Sequence, residues 1–152
     1  MKGVYTLVLR IEKPLRIKIG KLGIGDFKEG IYAYVGSGLG KGAFSVLGRI
    51  KRHLERKKNM FWHIDYLLSN ESVKILKVFY AKTNLKIECI LNKEIKKTFK
   101  GKIPMKGFGS SDCKCKAHLT WLRSKNASKR IEKLMERAYK NAGLKNVKTI
   151  KQ

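Results

Sequence analysis

The sequence predicts an α+β domain, a small and mainly antiparallel sheet flanked by helices. Segments Gly3 to Ile11, Ile31 to Gly36 and Val73 to Tyr80 alternate apolar and polar positions and are rich in Val, Ile, Leu and Tyr, as strands are. Apolar residues recur at helical spacing after the second and third of these segments. No convincing strand–helix–strand series of a parallel sheet connects them.

The elements follow in order. GVYTLVLRI (Gly3 to Ile11) is the first strand, turned by Glu12-Lys13-Pro14. Leu15 to Ile19 is a second, short strand suited to an edge. Gly20 to Gly30 holds four glycines and reads as turns. IYAYVG (Ile31 to Gly36) is the third strand, and Ser37 to Gly42 a glycine loop. Phe44, Leu47, Ile50 and Leu54 then mark the apolar face of a helix whose other faces carry Arg49, Lys51, Arg52, Arg56 and Lys57. Phe61 to Leu68 (FWHIDYLL) reads as a short helix, with Trp62 and Tyr66 packing as core. Val73 to Tyr80 is the fourth strand. Leu85 to Lys97 is a helix with Ile87, Ile90, Leu91 and Ile95 inward. A Gly-, Ser- and Lys-rich loop spans Lys100 to Lys116. Ala117 to Leu122 reads as a last strand and Asn126 to Ala142 as a helix stopped by Gly143. Two prolines, no repeat and no low-complexity stretch suit one domain over 1–152, with 98–152 a basic loop and C-terminal extension.

Composition narrows the partners. The formal net charge is +25, from 36 Lys and Arg against 11 Asp and Glu. Such an excess attracts polyanions, because neutralising phosphates releases counterions. Thermophile-type lysine enrichment is normally balanced by glutamate, and here it is not. Nucleic acid is the expected partner, with DNA favoured, and an anionic membrane surface is the competing one. No run approaches the ~18 apolar residues of a membrane span, and the start lacks the basic region and cleavage site of a signal peptide. An odd count of 3 cysteines argues against a disulfide framework. The cytoplasm is the expected location.

Gly3-Val4-Tyr5, Tyr34-Val35-Gly36, a helix carrying Arg49 and His53, and a later helix opening on Glu88 occur in that order. This arrangement resembles the GIY-YIG nuclease family across most of residues 3–97. The hairpin between the two motifs is an insertion relative to the family's shorter spacing. A literal Gly30-Ile31-Tyr32 also precedes Tyr34, but one residue cannot span two strands. Phe108-Gly109-Ser110-Ser111-Asp112-Cys113 together with FWHIDYLL resembles a narrower branch, the Uri-type endonucleases, formerly a family of unknown function. The resemblance implies a divalent-metal-dependent endonuclease that hydrolyses phosphodiester bonds.

The residue types suit that chemistry. Tyr5 or Tyr34 can help deprotonate water if a nearby cation lowers its phenol from about 10. Arg49 can grip a phosphate with two donors. His53, one helical turn on, can orient water or protonate a leaving group, although a solvated helix histidine is the plain alternative. Glu88 opens an otherwise basic helix, and a single carboxylate suits Mg²⁺ or Mn²⁺, which keep most of their water. The plain alternative there is an acid favoured by the helix dipole. Lys41, Lys51, Arg52, Arg56, Lys57, Lys114 and Lys116 are candidates for contacts to the nucleic-acid backbone. A possible additional site gathers His63, Asp112, Cys113, Cys115 and His118. Cys-x-Cys-x-x-His can supply zinc ligands, but the spacing is not that of a standard finger, so reduced or buried thiols are the preferred reading. Cys89 reads as core. Lys41 is followed by Gly42, so the glycine loop lacks the ending of a nucleotide-binding P-loop.

Two other functions compete with cleavage. One is a catalytically inactive nucleic-acid-binding module of the same fold. The other is a basic interaction protein of ribosomal type, acting through charge alone. A metal-dependent activity that needs Glu88 separates the first reading from both.

Overall fold

The computed structural model describes residues 1–55, 59–110, 115–122 and 130–151. Arg56, Lys57, Asp112, Cys113 and Lys114 lie outside the described residues, as does the expected helix start at 126–129.

The chain forms strands β1 (Gly3–Ile11), β2 (Leu15–Lys18), β3 (Ile24–Phe27) and β4 (Gly30–Gly38), then helices α1 (Val46–Leu54) and α2 (His63–Leu68). Strand β5 (Val73–Lys82), helix α3 (Glu88–Phe99), strand β6 (Leu119–Trp121), helix α4 (Ile131–Asn141) and strand β7 (Lys148–Lys151) follow. A 5-stranded sheet has the order β6-β4-β1-β5-β7, with every pairing antiparallel. The β2–β3 hairpin forms a separate 2-stranded sheet between β1 and β4 in the chain. This is the expected α+β class, with a hairpin inserted between the two motif strands.

Alternation along β1 sends side chains to two cores. Tyr5, Leu7, Leu9 and Ile11 join one cluster with α1, α2 and the hairpin, while Val4 and Val8 join the other with α3 and α4. Both faces of the central strand are therefore covered, and truncating a fully buried leucine such as Leu7 is expected to cost about 2–5 kcal/mol. Buried Thr6 would carry an unpaired hydroxyl into the second core, but it bonds Tyr139 Oη at 2.8 Å, and Tyr139 in turn donates to Phe79 O.

Several local expectations need correction. The glycine-rich stretch 20–30 is not all turns, because Ile24–Phe27 pairs with β2. Phe44 and Leu47 are exposed rather than inward; α1 buries Val46, Ile50 and His53. Ser45 sets that start, since its Oγ caps the Gly48 N–H at 3.0 Å and leaves Phe44 in a preceding 3-10 turn. On α3 Ile90 is exposed, and the inward face is Glu88, Leu91, Asn92, Ile95 and Phe99. Strand β7 was not expected at all. Among the described residues no helix is long and apolar enough to cross a membrane.

Candidate functional site

Antiparallel register brings the first two motifs together. Tyr5 pairs with Gly36 across β1 and β4, and Tyr34 lies two residues back on β4. A Cβ on Gly36 would fall 2.4 Å from Tyr5 Oη, so the glycine is the space in which the Tyr5 phenol lies. Gly109, at φ +74°, approaches Tyr34 in the same way; a Cβ there would lie 2.9 Å from the ring.

These residues open on a cleft of about 430 Å³ lined by Tyr5, Tyr34, Arg49, Trp62, Glu88 and His118 among others. The groups come from β1, β4, α1, the start of α2, α3 and the approach to β6. Four of the five expected catalytic residues thus share one cavity. The fifth, His53, is buried behind it, where its Nε2 lies 2.6 Å from Tyr5 Oη. The plain alternative of a solvated His53 is therefore set aside.

The electrostatics differ from expectation. Burial, reinforced by Tyr34, pushes the Tyr5 phenol well above its ordinary value, and Arg49 offsets only part of this. Burial also pushes Tyr34 up, helped by Asp65. The expected lowering by a cation is thus outweighed by desolvation. Both phenols are protonated at neutral pH, and in the tautomer with the imidazole proton on Nδ1 the Tyr5 hydroxyl donates to His53 Nε2.

Glu88 is 7% exposed, and its Oε2 is buried with no hydrogen-bond partner among the described residues. A buried carboxylate oxygen without a partner is costly unless something outside the chain satisfies it. A hydrated divalent cation fits that donor set. Arg49 Nε is likewise buried without a partner, and the guanidinium lies over Trp62 at 5.1 Å from the ring centroid.

Arg52, expected to contact nucleic acid, is engaged within the fold. It forks onto Asp65 at 2.8 and 2.9 Å, donates to Asn59 O and stacks on Trp62 at 4.6 Å. Asp65, fully buried, also accepts the backbone N–H groups of Phe61 and Trp62. Trp62, read as core, does pack against the first cluster and is also the platform under both arginines. Lys41, Lys51 and Lys116 are exposed, and Lys86, not singled out in the sequence, lines the cleft. Its position two residues before Glu88, at the entry to α3, was the signal available.

The possible additional site divides. His63 Nδ1 accepts the Gly109 N–H at 2.8 Å and packs against Phe108, so it holds the loop that walls the cleft. Burial pushes its imidazole down. His118 lines the cleft; burial pushes it down too, with Glu88 pulling the other way. Cys115 is not a free thiol but is disulfide-bonded to Cys89, which is therefore not simply core. Packing of the first turn of α3 on the approach to β6 brings the two to a Cα separation of 6.0 Å.

Fold and cleft together define a basic α+β domain that gathers phenols, a guanidinium and a lone carboxylate from distant parts of the chain. The chain belongs to the family described as Domain of unknown function DUF123, whose model matches residues 4–140. No curated protein and no solved structure matches it.

Proposed function

We propose that the chain is a divalent-metal-dependent endonuclease of the GIY-YIG type, within the Uri-type branch, hydrolysing phosphodiester bonds of nucleic acid and of DNA by preference. The observation that carries this reading is the meeting of Tyr5, Tyr34, Arg49 and the unsatisfied Glu88 carboxylate in one cleft of a protein with net charge +25.

Arg49 grips the scissile phosphate, its guanidinium kept in place by the Trp62 ring. Tyr5 takes a proton from the attacking water at Oη while passing its own to His53 Nε2, so no phenolate has to accumulate. This relay requires His53 neutral, with its proton on Nδ1. Tyr34 donates a hydrogen bond into the same space. Glu88 holds Mg²⁺ or Mn²⁺, which when bound offsets the charge developing on the phosphate. Lys41, Lys51 and Lys86 supply positive charge for the flanking backbone.

Replacement Glu88→Gln keeps size and removes the charge. Metal-dependent nicking is expected to fall by at least about 100-fold, while affinity for nucleic acid changes by less than about threefold. Undiminished nicking by the variant would exclude Glu88 as the metal ligand. Binding without cleavage by the unaltered protein, across single-stranded, duplex and branched DNA and RNA, would make it a non-catalytic module.

A further inference from the structure

Cys89, Cys115 and His118 form a second cluster beside the cleft. Cys89 follows Glu88 in the first turn of α3, whereas Cys115 and His118 lie on the approach to β6. Cys89 Sγ is bonded to Cys115 Sγ and lies 3.4 Å from His118 Nε2, and all three donor atoms lie within 4.8 Å of one another.

The framework around the three residues does not depend on the sulfur–sulfur bond. Buried Asn92, one turn along α3 from Cys89, donates to Ala117 O at 2.6 Å and accepts from Thr120 Oγ1 at 3.3 Å. The His118 N–H donates to Phe108 O at 2.8 Å, and its carbonyl accepts the Val35 N–H at 3.0 Å. Reduction of the bridge therefore leaves both segments in place, and the sulfurs part only to van der Waals separation. In a tetrahedral zinc site, bond lengths of about 2.3 Å to sulfur and 2.0–2.1 Å to nitrogen set edges of roughly 3.8 Å between sulfurs and 3.6 Å between sulfur and nitrogen. The observed 3.4 Å between Cys89 Sγ and His118 Nε2 already falls near the sulfur–nitrogen edge, and reduction opens the sulfur–sulfur one.

Access is also provided. His118 lines the catalytic cleft, and Cys89 and Cys115 line an adjoining cavity of about 570 Å³ together with Asn92, Ile103 and Lys116. The cluster sits in the wall between two openings.

We propose that the reduced chain holds one soft divalent cation of the zinc class through Cys89 Sγ, Cys115 Sγ and His118 Nε2, with a fourth position open to water. The bridge and the ion are alternatives at the same place. A dithiol gives two electrons and two protons: the sulfur–sulfur bond breaks, two S–H bonds form, and the dithiol closes to its own disulfide. The cation then displaces both thiol protons to solvent. In either state the start of α3, and with it Glu88, is tied to β6. This site is distinct from the hard-cation site at Glu88 and does not rest on the proposed cleavage activity.

The test uses the full chain, reduced with a dithiol, freed of it anaerobically and equilibrated with Zn²⁺ or Co²⁺. One Zn²⁺ per chain is expected to survive dialysis. Co²⁺ is expected to show thiolate-to-metal charge transfer in the near ultraviolet and the intense visible bands of tetrahedral coordination. The oxidised chain is expected to retain none, a comparison that needs no variant. Cys89→Ser is expected to weaken retention at least about tenfold, and His118→Asn to lose the tetrahedral visible bands. Failure of the reduced chain to retain metal would overturn the proposal. So would equal retention by the oxidised chain, or an unchanged cobalt spectrum in Cys89→Ser.

Discussion

Tyr5 illustrates how one side chain is shaped by its neighbours more than by its type. A buried phenol with a raised pKa is a poor base by itself, yet a hydrogen bond of 2.6 Å gives its proton somewhere to go. Tyr5→Phe and His53→Ala should therefore each lower single-turnover nicking by about 10²–10³-fold. The double variant should be no more than about threefold worse than the worse single one, because both interrupt one relay. Additive losses in a rapid-quench assay would assign the two residues to separate steps. Arg49 and Arg52 make the complementary point. They stack on the same indole, but Arg52 is held by Asp65 and only Arg49 faces the cleft.

At the level of elements, the α1–α2 corner is fastened by that Arg52–Asp65 pair. Burial drives the Asp65 carboxyl upward, but the Arg52 fork and the N–H groups of Trp62 and Phe61 outweigh it and hold the group below its ordinary value. A carboxylate lowered in the folded state stabilises the fold above its unfolded value of about 3.9. That contribution is lost as pH falls through the lower folded value. Asp65→Asn should cost on the order of 2–4 kcal/mol near neutrality, and the gap to the unaltered protein should close in acid. Urea melts across pH would show it, and a gap independent of pH would contradict the linkage. On the paired strands, Gly36→Ala should displace Tyr5 and cost about 1–3 kcal/mol through overpacking. Strands β1, β4 and β5 were legible because long apolar alternation survives in central strands. Strand β3 was hidden by Gly23 and Gly25, and β7 by its brevity and mostly exposed residues. The cleft residues were legible through the order of their motifs. The place of Trp62, the engagement of Arg52 and the Cys89–Cys115 pairing were not, because each depends on contacts between segments distant in sequence.

Over the whole molecule, several of the few acids are already committed. Asp65 holds Arg52, Asp26 holds Arg16, and Glu132 holds Lys77 and approaches Lys151. Lys41 and Lys51, by contrast, project from the surface near the glycine loop and α1. Affinity for nucleic acid should fall steeply with salt, and replacing both lysines with alanine should make the log–log slope shallower by up to about two units. An unchanged slope in fluorescence anisotropy titrations would place the binding surface elsewhere. The order β6-β4-β1-β5-β7 has one more consequence, since both outer strands are drawn from the last third of the chain. A ribosome must emit nearly the whole polypeptide before either margin is capped. Until then the nascent backbones of β4 and β5 remain open to sister chains. Chains terminated before Leu119 are thus expected in the insoluble fraction, and their recovery as soluble monomers would contradict this reading.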